Sequence, residues 1–117
     1  MLTWNTLPAT NIVEIQYNGD PQPAEIDGLR AELTTVVAAH GSAKLLAVVG
    51  KNGGMPAKSL IDELSGEQLI KQLGRSAVLT DKTLLRMMIG AGAKMAPMEV
   101  KVYKIADRDE AIAWLKQ

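Results

Sequence analysis

The stretch of sequence that decides the fold covers residues 75–103 and reads RSAVLT, then DKTLLRMMIGAGAKMAPM, then EVKVY. The apolar run at 77–79 is typical of a buried strand, and Asp81 is placed to cap the following helix with its carboxylate. Residues 99–103 then alternate between polar and apolar, which is the two-residue period of a half-covered strand. Strand, helix and strand in this order predict a βαβ unit, so the chain is expected to be an α/β protein.

The start of the chain predicts two strands joined by a short connection. Residues 2–7 alternate, with Leu2, Trp4 and Thr6 on one face, and residues 11–17 are rich in β-forming side chains. Two strands this close in sequence are expected to pair as an antiparallel hairpin, with the first strand at an edge of the sheet.

The next part of the chain predicts a helix followed by a central strand. The helix is predicted to begin near Pro23 and to end at Gly41 in a left-handed cap. Its largely apolar residues recur at helical spacing and so fall on one face. The residues of that face are Ile26, Leu29, Leu33, Val36, Val37 and His40. The run KLLAVVG at 44–50 is apolar almost throughout, as expected of a strand covered on both faces. Gly53 and Gly54 lie in the loop after this strand, at the carboxyl end where open α/β sheets usually bind ligands.

The remaining segments predict further helices. Apolar residues between 60 and 73 recur at helical spacing with an interruption at Ser65, which predicts two short helices or one kinked helix. Asp107 and Glu110 mark the start of a last helix, which is expected to pack on the sheet through Trp114. We therefore predict a single α/β domain over residues 1–117, with a mixed sheet of about five strands and four or five helices.

Composition excludes several classes of function. Lys and Arg total 13 against 13 Asp and Glu, so no net field attracts nucleic acid, and no nucleic-acid partner is predicted. Cys is absent, which excludes disulfides and thiolate chemistry and fits a reducing compartment. The N-terminal residues lack the pattern of a secretory signal, and no apolar run is long enough to span a bilayer. The expected localisation is cytoplasmic, with peripheral association at the inner membrane as an option.

No group of residues predicts catalysis. The segment 50–59 is not a phosphate-binding loop, because Asn52 and Ala57 stand where that motif requires glycine. His40 is the only histidine and is better explained as a favourable charge at a helix C-terminus than as a metal ligand. The clustered acidic residues fall at helix starts and solvated faces, and no nucleophile is paired with a base. We predict a protein that is not an enzyme, with no cofactor and no metal site.

An ordered set of motifs in the second half of the chain points to a family. The first motif is a basic residue before an apolar strand, at Arg75, Ala77 and Val78. The second is the start of the next helix, at Asp81 and Lys82. The third is a closing Asp-x-x-Glu-Ala-x-x-Trp-Leu helix, at Asp107, Glu110, Ala111, Trp114 and Leu115. With these motifs in this order, the chain resembles the SpoIIAA-like family of bacterial proteins over nearly its whole length. The resemblance implies a STAS-type fold and a small non-catalytic domain that binds apolar molecules or associates with membranes.

The wider STAS group suggests an alternative function. In the antagonists of anti-sigma factors, a serine or threonine in an Asp-Ser-type motif is phosphorylated to control partner binding. The corresponding loop here reads GKNGGMPAKS, which has no Asp-Ser pair, and Ser59 lies too far into the predicted helical region to take that role. The alternative is therefore a protein-interaction module in bacterial regulation that lacks the phosphorylation motif.

The helix after Asp81 is more apolar than one sheet face requires. At about 100° per residue its apolar side chains fill an arc of roughly 200°, with Lys82, Arg86 and Lys94 beside it. Either neighbouring helices cover the flanks of this arc, or part of it is left as an adaptable, Met-rich surface. The second interpretation selects as ligand-binding or membrane-facing residues Leu85, Arg86, Met87, Ile89, Met95 and Met98, with Gly53 and Gly54 of the loop.

The leading functional prediction from the sequence is a non-enzymatic binding module. Its partner is expected to be an apolar small molecule or an anionic membrane surface, which the Met-rich helix would contact with basic residues at the rim. A regulatory protein partner is the alternative, and an uncovered apolar helix would also allow a homodimer.

Overall fold

The computed structural model describes residues 2–19, 22–50, 72–83, 86–87 and 99–117, and its strands form one sheet. In sheet order the strands are β1 (Leu2–Thr6), β2 (Ile12–Tyr17), β3 (Ala43–Val49), β4 (Leu73–Leu79) and β5 (Glu99–Tyr103). β1 runs antiparallel to β2, and every other neighbouring pair is parallel. The prediction of a mixed five-stranded sheet with an antiparallel first strand is confirmed.

The hairpin of β1 and β2 has the predicted facing. Leu2 is buried and Trp4 packs against the same apolar cluster. Thr3 and Asn5, which alternate with them along the strand, are exposed. The two strands are closed by a hydrogen bond of 2.9 Å from the Leu7 N–H to the Ile12 carbonyl. Alternation in the sequence therefore identified the inner face of an edge strand correctly.

Helix α1 (Pro23–His40) covers the sheet face on which Leu2 and Trp4 lie. Its buried residues, Ile26, Leu29, Leu33 and Val36, belong to the predicted apolar face. Gly41 ends the helix at a φ of 85°, and its N–H donates to the Val37 carbonyl at 2.7 Å. A left-handed residue of this kind is favourable for glycine because no Cβ meets the backbone, so the predicted cap is confirmed.

The opposite sheet face carries a much shorter helix. A 3₁₀ turn (Ile105–Asp107) leads into α2 (Arg108–Leu115), which buries Ala111 and Leu115 against the sheet. Strand residues of this cluster are Ile12, Leu46, Ala77 and Leu79. Since β3 buries side chains on both faces, its nearly continuous apolar sequence is explained.

The predicted number of helices is not borne out. The described part of the chain contains two α-helices, where the sequence predicted four or five in all. The predicted helical region at 60–73 falls mostly outside the described residues, and its last predicted position, Leu73, begins strand β4 and is buried. At Leu73 helical spacing was a poor guide, because a buried strand can share its apolar residues with a helical pattern. Within the described ranges, no helix is long and apolar enough to cross a membrane.

Candidate functional site

The carboxyl ends of the parallel strands meet at one edge of the sheet. The described residues at this edge are Asn18, Gly19, Gly50, Thr80, Asp81, Lys82, Lys104 and Ile105. Open α/β sheets bind their ligands at such an edge because the connections that leave it diverge. This edge is therefore the first place to look for a site.

Two hydrogen bonds tie the turn after β4 to the end of β5, and a third lies within the turn itself. The N–H of the fully buried Thr80 donates to the Tyr103 carbonyl at 3.0 Å, and its Oγ1 accepts the Lys82 N–H at 3.2 Å. Asp81 Oδ1 accepts the Ile105 N–H at 3.1 Å. Among the described residues, the Asp81 carboxylate thus bonds a neighbouring connection, and the Thr80 hydroxyl accepts the Lys82 N–H. That the Asp81 carboxylate also caps the following helix stays a prediction.

Two apolar side chains project from this edge. Met87 is 67% exposed and Ile105 is 39% exposed, and they are the exposed large hydrophobic residues of the described part of the chain. The Arg86 N–H donates to the Lys82 carbonyl at 2.9 Å, so a helical turn places Met87 just after the end of β4. Lys82 and Lys104 are exposed on the two connections. We call Lys82, Arg86, Met87, Lys104 and Ile105 the carboxyl-edge surface.

Arg86 adds a polar feature to the carboxyl-edge surface. Its Nε is buried and has no hydrogen-bond partner among the described residues. A buried donor without an acceptor is unfavourable. The surface as a whole combines exposed apolar atoms with cations.

Of the predicted site residues, Arg86 and Met87 lie in the described part of the chain. The exposure of Met87 agrees with an apolar arc that is not fully covered, but its assignment to a binding site stays a prediction. The other predicted residues, Leu85, Ile89, Met95, Met98, Gly53 and Gly54, lie outside the described residues. Ile105 was not selected from the sequence, because an isolated isoleucine after a strand gives no periodic signal.

A second cluster, which sequence analysis also missed, lies on the α2 side of β4 and β5. The Arg75 guanidinium carbon lies 5.0 Å from the centre of the Trp114 ring, and Lys101 Nζ lies 5.6 Å from the same centre. Lys101 Nζ is also 5.9 Å from the Tyr103 ring, which is tilted against Trp114 at 6.4 Å between centroids. Cations within about 6 Å of an aromatic face are attracted by its quadrupole. We call Arg75, Lys101, Tyr103 and Trp114 the cation–aromatic cluster.

Polar contacts hold both ends of α2 to the sheet. At the start, Arg108 Nη2 and Nε donate to the two oxygens of Glu14 at 2.8 and 3.0 Å. This bidentate bond to Glu14 raises the pKa of Arg108, so the guanidinium stays charged. At the end, Arg75 Nη1 donates to the Trp114 carbonyl at 2.8 Å, and Lys44 Nζ donates to the Leu115 carbonyl. Cations at these carbonyls also offset the negative end of the helix dipole.

The described residues contain no group of three His, Asp or Glu side chains that could hold a metal ion. Glu14 is engaged by Arg108, and Glu99 lies 3.5 Å from Arg75, so these carboxylates serve ion pairs on the α2 face. The two surfaces contain exposed apolar atoms, aromatic rings and cations.

These features define the class of the protein. An antiparallel first strand, four parallel strands and helices on both faces form a small α/β module of the STAS type. The model of the SpoIIAA-like family matches residues 12–116 of the 117-residue chain, so the chain belongs to the SpoIIAA-like family. No curated protein and no solved structure matches the chain.

Proposed function

We propose that this chain is a non-enzymatic regulatory module that binds another protein through its carboxyl-edge surface. The observation that carries the proposal is the exposure of Met87 and Ile105 on two connections joined by the Asp81–Ile105 hydrogen bond. Membership of the SpoIIAA-like family supports a regulatory binding role. Apolar anchors with a polar rim are how protein interfaces concentrate their binding energy.

The hydrogen bonds beneath this surface support recognition of a protein partner. Thr80 is buried and Asp81 bonds the start of the 3₁₀ turn, so the two connections are held together before any partner binds. A preorganised surface loses less conformational entropy on association, which favours specific binding. Lys82 and Lys104 add positive charge, so the partner is expected to present carboxylates around an apolar contact.

Site-specific photo-crosslinking in cells tests the proposal. A photoreactive phenylalanine analogue at position 87 is expected to yield one defined protein adduct, and Ile105→Ser in the same chain is expected to reduce it. The matched control places the analogue at Ala113, which is also exposed but lies on α2. Adducts at both positions, or at neither, would refute a protein interface at the carboxyl edge.

The apolar-ligand or membrane prediction is the second candidate for the same surface. It is favoured by the basic residues Lys82, Arg86 and Lys104 around Met87, since cations attract anionic headgroups. Flotation with phosphatidylglycerol vesicles, compared with phosphatidylcholine vesicles, separates it from protein binding. If the protein floats only with the anionic vesicles, and Met87→Ser abolishes this flotation, membrane binding is favoured over protein binding. Mass spectrometry of an organic extract of the purified protein would reveal a bound apolar molecule.

A further inference from the structure

The outer edge of β5 offers backbone hydrogen-bonding groups. β5 is the last strand of the described sheet on this side, and Tyr103 lies opposite Leu79 of β4. The Tyr103 carbonyl accepts the Thr80 N–H at 3.0 Å, so the backbone groups of Tyr103 point towards β4. The backbone groups of successive residues in a strand point to opposite sides, so the N–H and C=O groups of Val100 and Val102 point away from β4.

The side chains along this edge carry positive charge beside aromatic rings. Lys101 is exposed and makes no ion pair with a described residue, and its Nζ lies 5.6 Å from the Trp114 ring centre. Glu99 is 69% exposed and lies 3.5 Å from Arg75, which partly neutralises its charge. Lys104 follows the strand and is also exposed. The edge is therefore cationic, although the chain as a whole has no net charge.

We propose that β5 accepts an extended acidic segment of a partner protein as an additional strand of the sheet. The backbone of that segment would bond the outward N–H and C=O groups of Val100 and Val102, which is the way exposed sheet edges recognise extended peptides. A side chain opposite Lys101 would lie about 5 Å away between Cβ atoms, within reach for a carboxylate on the ammonium. The Trp114 and Tyr103 rings would cover the apolar part of that side chain. This inference concerns a different surface from the carboxyl edge and does not depend on it.

Amide exchange measured by NMR tests strand addition residue by residue. The probe is a short capped peptide of alternating valine and glutamate, and the control replaces each glutamate by lysine. With the acidic peptide, exchange at Val100 and Val102 is expected to slow by about tenfold or more, because their N–H groups become hydrogen-bonded. Exchange at Lys101 and Tyr103 is expected to change far less, because these amides already face β4.

A pair of variants at one position isolates the backbone contribution. Val102→Pro removes the outward N–H, whereas Val102→Ala removes both methyl groups of the side chain and keeps that N–H. Val102→Pro is expected to weaken binding of the acidic peptide by about tenfold relative to Val102→Ala. Lys101→Glu is expected to abolish binding of the acidic peptide and to permit binding of the basic one.

Three results would overturn the proposal. The first is no saturable binding of the acidic peptide up to about 1 mM, a concentration at which even weak recognition is detected. The second is binding of the acidic peptide that leaves amide exchange at Val100 and Val102 unchanged. This measurement uses the wild-type protein, so it remains valid if Val102→Pro fails to fold. The third is protection of these amides in the protein alone that grows with its concentration, since a second copy of this chain would then occupy the edge.

Discussion

The contact between Glu14 and Arg108 predicts how firmly α2 is attached to the sheet. The perturbation is a double-mutant cycle: Glu14→Gln, Arg108→Gln and the two changes together. Glu14 lies on β2 and Arg108 is the first residue of α2, so this pair joins elements 94 residues apart in sequence. Replacing either partner leaves a charged group without its ion-pair partner, whereas the double variant removes both charges.

The structure sets the size of the expected coupling. The two hydrogen bonds of 2.8 and 3.0 Å are bidentate, but the Arg108 side chain is 40% exposed and that of Glu14 is 15% exposed. Exposed pairs contribute roughly 0.2–1 kcal/mol, and breaking a fully buried pair costs roughly 3–5 kcal/mol. A half-exposed bidentate pair falls between these limits, so we expect a coupling free energy of about 1–2 kcal/mol.

Urea unfolding followed by far-UV circular dichroism measures the free energy of unfolding of each protein in the cycle. The chain provides its own control in Asp27 and Arg30 of α1, which form a single contact of 3.2 Å with side-chain exposures of 74% and 43%. The coupling of that pair is expected to stay below about 0.5 kcal/mol. Equal couplings for the two pairs, or none between Glu14 and Arg108, would refute the reasoning that this contact anchors α2.

Two further predictions concern the core and the start of α1. Val78 is 2% exposed on central strand β4, so Val78→Asp is expected to lower the free energy of unfolding by at least about 3 kcal/mol, while Thr3→Asp on the exposed face of β1 should have little effect in the same urea assay. The Gln22 and Leu2 N–H groups donate to Glu25 and hold its pKa below the usual value, so this stabilisation is present above the unfolded pKa and is lost as the pH falls through the lower folded pKa. Thermal unfolding of wild type should therefore depend on pH more steeply below about pH 5 than that of Glu25→Gln, and identical pH profiles would exclude this linkage.

Local patterns predicted those features that local physics determines. The inner face of β1, the apolar face of α1 and the cap at Gly41 follow from side-chain periodicity and from the φ that glycine tolerates. The parallel arrangement of β4 and β5 followed from one strand–helix–strand pattern. Each of these features depends on residues that lie close together in the chain, so a single sequence was enough to predict them.

Contacts between distant segments could not be predicted in the same way. The cations bonded to the final carbonyls of α2 are Lys44 and Arg75, which lie on two strands far from this helix in sequence. Asp81 had the right position for a helix cap, and the Ile105 N–H, 24 residues away, donates to its carboxylate. A side chain that can satisfy either a local or a distant group is assigned only when the packing of the sheet is known.

Among the described residues, the two sheet faces are covered by helices of unequal length. One face receives α1, an 18-residue helix, whereas α2 on the other face has 8 residues and buries Ala111 and Leu115 alone. A helix this short cannot span five strands about 4.8 Å apart, so α2 by itself leaves the margin of its face uncovered. β5 carries Lys101 and Glu99, and the half-buried Trp114 lies where the helix ends and that polar margin begins. The sequence suggested a packed tryptophan. Its half-buried position, with Lys101 Nζ 5.6 Å from its ring centre, supports the proposal that the edge of β5 accepts a partner segment.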